Sequence, residues 1–554
     1  MHKLIALASL TFCFSLATAQ DAPEAPWKVE HRDMQVPMRD GKTLAANILL
    51  PKKQGKYPCI LVQTPYDKNR LGREYGDKSS EGGRGSEKAF AQFDRDNFAY
   101  AFVDWRGFYG SKAAMQGVQR GKWKRGQDGY DCVEWIAKQD WCNGKVGTWG
   151  GSALGKQQFD TAAEQPPHLV CCAPLIAYQG NRYEAYYEGG VALEAHVKSL
   201  DRLGFGVGEL VAANPLPNRL WQFVRSTSYK PDKIAVPCLM VSGWWDNYPR
   251  EVVEQFEDLL AKGTAGAKES KLVMGPWSHT AIDVPNQGDQ MFKDAEDYST
   301  KITKQFFDFY LREIKDSGWE KQPRVHAYQC GEGWATGESW AKLRGKAVAM
   351  HLHADGKVDA SAPAEPTTEA PLTRQYTYDP KKPSPTIGGQ NLPPLDHGPK
   401  ELSVLEKRAD VLAYTTAALD KPLRVRGEIE LTVPLSCNRV DTDIHVRLCD
   451  TDESGKTYLV GETIQRAKLR DGKATQALKP GEVYELTLQF APHAYTWAKG
   501  HKLKLIITGG NSPRYERNTH TGADAWDEAK ALDVAVTIYH DAKRAPKLTL
   551  PVIE

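Results

Sequence analysis

Two textures of apolar and polar residues divide this chain. In the first, strand-length apolar runs near residues 58–63, 99–104, 145–149, 169–174, 236–242 and 271–275 alternate with helical or loop stretches. Runs apolar throughout, spaced by crossovers long enough for helices, predict a parallel sheet. Ahead of them Val29 to Leu50 alternates and turns at Asp40-Gly41, which signals a hairpin. Between about 178 and 232 the strand signal stops, and a helical stretch carries Tyr183, Tyr186, Tyr187, Trp221 and Phe223. It reads either as a helical insertion or as ordinary crossover helices. A further helical stretch spans Phe306 to Leu311.

From about Val325 the period changes to two. Val425, Ile429, Leu431, Val433 and Leu435 face one way, with Arg426, Glu428, Glu430 and Thr432 opposite. Leu532, Val534, Val536 and Ile538 repeat the pattern. An antiparallel β-sandwich follows. Within it, the proline-, threonine- and glutamate-rich stretch from about 360 to 394 reads as an extended surface excursion. Asp450 to Gly455 imitates the start of a calcium loop, but Gly461 stands where the bidentate glutamate is required, so a hairpin turn is expected. His351 and His353 share a strand face and read as a solvated pair.

Three of the apolar runs end in residues with chemical potential. Gly150-Gly151-Ser152-Ala153-Leu154-Gly155 follows the run Lys145–Trp149. Small residues on both sides of a serine at a strand-to-helix corner allow a sharp turn that lifts the hydroxyl clear and aims the Ala153 amide at its target. Val236–Ser242 leads into Gly243-Trp244-Trp245-Asp246, and Lys271–Met274 into Gly275-Pro276-Trp277-Ser278-His279. A nucleophilic serine needs a base and the base an orienting acid, and the order Ser, Asp, His is the α/β-hydrolase order. Parallel sheets gather ligands at the carboxyl ends of their strands, so all three side chains are expected on one rim. Taken singly, Asp246 also reads as a helix N-cap and His279 as a loop histidine.

In these motifs the chain resembles the cocaine-esterase-like branch of the X-prolyl dipeptidyl-peptidase superfamily of serine hydrolases, from about Val29 to nearly the C-terminus. Its Gly-x-Ser-x-x-Gly is met at Gly150, Ser152 and Gly155, with Gly-Trp-x-Asp at 243–246 and Gly-Pro-Trp-x-His at 275–279. Pro65-Tyr66-Asp67-Lys68, Asp104-Trp105-Arg106-Gly107, Arg408–Thr416 and Asn511–Asn518 match further segments. The resemblance implies an α/β-hydrolase domain with a helical cap inserted, followed by a jelly-roll β-sandwich. It also implies Ser152 as nucleophile, His279 as general base and acid, and Asp246 as its orienter. Tyr66 and the Ala153 amide would form the oxyanion hole. From the residues alone Tyr66 is a half-buried strand-end tyrosine.

Length and composition add bounds. A chain of 554 residues exceeds what one core serves, and 41% apolar with 26% charged residues is ordinary for a soluble protein. A net charge of +2 gives no electrostatic case for nucleic acid. Lys3, the apolar stretch Leu4–Leu16 and Ala17-Thr18-Ala19 read as a cleaved signal peptide, too short to span a bilayer. Export to the periplasm or beyond is expected. The expected organisation is 1–19 signal peptide, 27–177 with 233–322 catalytic domain, 178–232 cap, and 323–554 sandwich. Of ten cysteines nine remain after cleavage, and Cys132 with Cys142, flanking a helix capped by Asp128, is a reasonable pair. No Cys-x-x-Cys or His-Glu-x-x-His occurs, so neither a metal nor another cofactor is expected.

The expected substrate is a small-molecule ester or amide. Some relatives hold a substrate ammonium with carboxylates two and three places after the triad aspartate, but here those places are Tyr248 and Pro249. Relatives that cleave after proline carry an extra N-terminal domain, for which there is no room between the cleavage site and the first strand. That favours an ester, with an aromatic-lined pocket drawn from Trp105, Trp245 and Trp277. An amidase or X-prolyl peptidase of the same mechanism, and an inactive glycan-binding protein, are the other readings. Oligomeric state is not legible.

Overall fold

The structure, a computed structural model, describes residues 30–69, 94–119, 123–363, 372–472 and 475–554. The proposed signal segment lies outside them. Ten strands form the first sheet: β1 Glu30–Pro37, β2 Thr43–Leu50, β3 Tyr57–Thr64, β4 Ala99–Asp104, β5 Cys142–Gly151, β6 Leu169–Leu175, β7 Leu239–Trp245, β8 Lys271–Ser278, β9 Val325–Gln329 and β10 Gly333–Gly337. Their order is β1-β2-β4-β3-β5-β6-β7-β8-β9-β10. From β3 to β9 every pairing is parallel. The continuous apolar runs have their reason here. Strands β3, β4, β7 and β8 are buried along nearly their whole length, and each buried Ile, Val or Leu contributes about 1.5–3 kcal/mol.

The β1–β2 hairpin turns at Asp40-Gly41 and joins the antiparallel edge of the sheet. Helices α1 (Arg125–Ala137) and α2 (Ala153–Ala163) flank β5. Between β6 and β7 comes the inserted cap, with α3 Glu194–Arg202, α4 Gly208–Ala212 and α5 Arg219–Ser228. Its centre is aromatic: Tyr183 stacks on Tyr187 at 4.6 Å, and Trp221 packs on Tyr183, Tyr186 and Tyr187. Phe223 is exposed on the outer face. Helices α6 (Pro249–Lys262) and α7 (Tyr298–Tyr310) complete the α/β domain.

The C-terminal domain is built of antiparallel sheet. Its smaller sheet runs Leu412–Thr415, Lys502–Thr508, Asp443–Thr451, Thr457–Arg466, and a larger one includes Glu430–Cys437, Val534–Tyr539 and Lys547–Ile553. Leu431, Val433, Leu435, Val534, Val536 and Ile538 are buried. Asp450 to Gly455 lies at the expected hairpin, with Asp452 N–H bonded to the Lys456 carbonyl at 2.9 Å.

Five expectations fail. The first two strands assigned to the sandwich, Val325–Gln329 and Gly333–Gly337, instead extend the first sheet. Leu532 precedes its strand and is exposed. The stretch read as a surface excursion contains a strand, Thr373–Tyr378, that pairs with Val534–Tyr539 and buries Tyr376 and Tyr378. Asp128 lies inside α1 rather than capping it, because its carboxylate is taken by Arg106 at 2.7 Å and Trp123 Nε1 at 2.8 Å. The nine described cysteines are buried free thiols. Cys132 and Cys142 therefore form no disulfide.

Candidate active site

Strand β5 ends at Gly151 and α2 begins at Ala153, so Ser152 alone makes the corner. Its φ of 57° and ψ of −120° lie in a region that non-glycine residues avoid, at a cost of about 1–3 kcal/mol. The corner is held by Ser152 N–H donating to the Leu175 carbonyl, and by Lys156 N–H donating to the Ser152 carbonyl, both at 2.9 Å. Gly155 permits the close approach of α2 to β6: a Cβ there would stand 2.5 Å from the Ala177 Cβ. The Ala153 amide belongs to the first turn, where backbone donors and the helix dipole favour negative charge.

Strand β7 delivers Asp246, which is wholly buried. Its carboxylate accepts from His279 Nδ1 at 2.6 Å and from the Asn247 amide at 2.6 Å, both at Oδ1, and from Ser242 Oγ at 2.7 Å at Oδ2. An ionised carboxylate only accepts, so His279 carries its proton on Nδ1 and presents Nε2 as an acceptor. The helix after it, α6, has Tyr248 and not Asp246 at its N-cap. His279 follows β8 on a turn braced by Gln287. The Gln287 amide oxygen accepts from Ser278 N–H and Oγ, and its amide nitrogen donates to the Ala281 and Val284 carbonyls. Strands β5, β6, β7 and β8 are sequential neighbours running parallel, so Ser152, Asp246 and His279 emerge at one edge. Tyr66, half-buried two residues beyond β3, emerges at the same edge beside β5.

The imidazole of His279 meets the Tyr248 ring edge to face, at 5.8 Å and 79°. Tyr248 OH lies 3.2 Å from His196 Nε2 on α3, and its ring packs on Tyr178 at 5.3 Å. Lys156, one turn along α2 from Ser152, donates to the Gly180 carbonyl at 3.1 Å and lies over the Tyr178 ring at 4.0 Å. Burial, and then the Arg125 charge, bring the Lys156 ammonium down to about 7, while the Tyr178 face favours its charged form. Burial, then the His279 and Lys156 charges, push His196 down to about 3, so it is neutral at working pH. Burial raises the Tyr248 phenol well above its ordinary value.

A cavity of about 480 Å³ lies beside Tyr248, between the cap, the start of α6 and the C-terminal domain. Tyr187, Leu193, His196, Tyr248, Leu392 and Arg514 are among its walls. Neither Ser152, Asp246 and His279 nor the three tryptophans Trp105, Trp245 and Trp277 are among its walls. Trp245 packs on Phe292 and His493, Trp277 on Trp334, and Trp105 between Phe108 and Phe205 under the Arg125 guanidinium. All three are buried.

Sequence reasoning missed Ser242, which lies on β7, while Asp246 follows the strand on a turn, its N–H donating to the Gly243 carbonyl at 3.1 Å. It also missed Gln287, which braces the turn from within nine residues, and His196 and Gln390, whose contacts are long-range. Gln390, from the stretch expected on the surface, donates to the Trp244 carbonyl at 2.9 Å behind the site. Among the described residues there is no cluster of three or more metal-binding side chains, and no helix long and apolar enough to cross a membrane.

Residues 40–225 and, in a second match, 207–281 fit the family model described as X-Pro dipeptidyl-peptidase (S15 family). Residues 317–549 fit that of the X-Pro dipeptidyl-peptidase C-terminal non-catalytic domain. The chain is 27% identical to the cocaine esterase of Rhodococcus sp. (strain MB1 Bresler), over 94% of this chain and 98% of that one. Two solved structures share the fold. An aminopeptidase from a marine sediment Thaumarchaeota archaeon has a TM-score of 0.80 at 21% identity, covering 98% of this chain and 100% of its own. An α-amino acid ester hydrolase has a TM-score of 0.78 at 20% identity, covering 97% and 100%.

Proposed function

The chain belongs to the X-prolyl dipeptidyl-peptidase superfamily of serine hydrolases, and we propose that it is an exported esterase working through an acyl-serine at Ser152. In the first half-reaction Ser152 Oγ attacks the ester carbonyl as its proton passes to His279 Nε2. Asp246 holds the imidazole in the tautomer able to take it and stabilises the imidazolium that forms. The tetrahedral oxyanion is met by the Tyr66 hydroxyl and the Ala153 amide. Collapse breaks the ester bond, and His279 returns the proton to the leaving alkoxide. Water then repeats the sequence on the acyl-serine, releasing the acid and restoring the serine.

One observation carries this reading: the 2.6 Å bond from His279 to the buried Asp246, at the same edge of the sheet as the strained Ser152 corner. The likeness to a cocaine esterase supports an ester as substrate. So do Tyr248 and Pro249, which leave no carboxylate at the places where some relatives hold an ammonium. The apolar leader ending in Ala17-Thr18-Ala19 supports export. A fluorophosphonate probe should label the native protein and not Ser152→Ala. Hydrolysis of paired ester, amide and X-Pro-anilide substrates should rank the ester first. Absence of labelling in the native protein would overturn the reading, and anilide preference would replace esterase by peptidase.

A further inference from the structure

Tyr248 is the feature of this site that the proposed mechanism leaves unused. It stands where a chain able to bind an ammonium would carry a carboxylate, and although it borders the cavity it is only 6% exposed and packed among other rings. Its backbone is fixed at the start of α6 by Val252 N–H donating to its carbonyl at 2.9 Å. Tyr178 packs on its ring at 5.3 Å, and the Lys156 ammonium lies 5.5 Å from the ring centroid. On one side its ring meets the imidazole of His279 edge to face. On the other its hydroxyl meets His196 Nε2 at 3.2 Å, and the two rings pack at 5.8 Å and 81°.

The bond to Asp246 constrains His279 at Nδ1, but rotation of the ring about that contact is constrained only by what lies against its faces. A general base has to hold Nε2 within hydrogen-bond reach of the serine oxygen, and small displacements are costly. Tyr248 supplies an edge-to-face ring contact, and Tyr248 is in turn held by a histidine carried on cap helix α3. Helix α3 is not part of the sheet that carries the triad. We propose that His196 is a positioning residue that, through Tyr248, sets the orientation of His279, so that the seating of the cap governs the competence of the triad.

This inference rests on the esterase reading, and the experiment separates the two. Tyr248→Phe removes one oxygen and leaves the ring, while His196→Ala removes its partner. Turnover of short acetyl and bulkier benzoyl esters would be measured for each single variant and for the double variant, with His196→Gln as the conservative replacement. Each single variant should lower kcat about tenfold, by the same factor for both acyl groups, with little change in KM. The double variant should be no slower than either single one, and His196→Gln should recover part of the loss. A wall of the acyl pocket would behave otherwise, shifting KM and doing so differently for the two esters. That outcome, unchanged kcat in Tyr248→Phe, or losses that multiply in the double variant would each overturn the proposal. Should His196→Ala lose its fold, Tyr248→Phe alone decides by its kcat. If Ser152→Ala were still active, the esterase reading itself would fall, whatever Tyr248 does.

Discussion

Asp246 accepts three hydrogen bonds, and only one of them faces the proposed base. The other two, from Ser242 and the Asn247 amide, orient the carboxylate so that Oδ1 meets His279. Asp246→Asn keeps the shape but presents an amide that can donate to Nδ1, which favours the wrong tautomer. Its kcat should fall by roughly 10⁴-fold with the fold retained, checked by ester turnover and circular dichroism. Ser242→Ala withdraws one donor from Oδ2 and should cost about tenfold in kcat. Tyr66→Phe, which on the proposed mechanism removes an oxyanion donor, should lose about 100- to 1,000-fold. Wild-type turnover in Tyr66→Phe would remove that residue from the mechanism. At this scale the sequence was most readable where a residue type and a strand end coincide: Ser152, Asp246 and His279 each follow a strand of the one sheet, and the last two are bonded. Trp105, Trp245 and Trp277 are buried against other aromatic rings. Large rings flanking a strand end look like pocket walls in one dimension, but burying them in the core removes more apolar surface from water than lining a wet cavity would.

Among elements, the turn from β5 into α2 concentrates the strain. Ser152 adopts its unfavourable backbone because β6 holds it on one side and the first turn of α2 on the other. That contact depends on Gly155, where a methyl group would meet Ala177 at 2.5 Å and the Leu175 carbonyl at 3.0 Å. Gly155→Ala should therefore push α2 off the sheet, lowering stability by about 1–3 kcal/mol in urea unfolding and reducing probe labelling of Ser152. A variant as stable and as quickly labelled as the native protein would show that the corner does not need this close packing. The parallel strands were legible because burial on both faces writes a continuous apolar run. The strand Thr373–Tyr378 was not, because only its alternate residues Tyr376 and Tyr378 are buried, against a partner far along the chain. The Asp128 cap failed for a related reason. A carboxylate near a helix start is a local signal, and a buried Arg106 outbids it.

At the scale of the whole molecule, the cap is joined to the C-terminal domain as well as to the sheet. Arg466 N–H donates to the Gly189 carbonyl and Glu516 N–H to the Ala192 carbonyl, while Arg514 pairs with Glu188 of the cap and with Glu462. Arg514 also donates to the Gln390 carbonyl and to Asn391. These contacts enclose the cavity beside Tyr248, so the C-terminal domain sets where the cap sits. Glu462 is the anionic centre of this network, accepting from Asn511 at 2.8 Å and meeting His445 at 3.1 Å. Burial alone would raise its carboxyl. The Arg514 charge, with His445 and Arg447, overrides burial and holds it down at about 2 from an ordinary 4.5. A depressed carboxyl contributes stability that is present above pH 4.5 and is lost as the pH falls toward 2. Glu462→Gln removes the charge and leaves Arg514 and Arg447 buried with less compensation, so at neutral pH it should be less stable by about 3–5 kcal/mol. Its stability should also fall less steeply than the native protein's between pH 4.5 and pH 2, because the titrating group is gone. Thermal unfolding of both proteins across that range checks the sign: parallel curves would mean that Glu462 is not the group whose protonation loosens the junction.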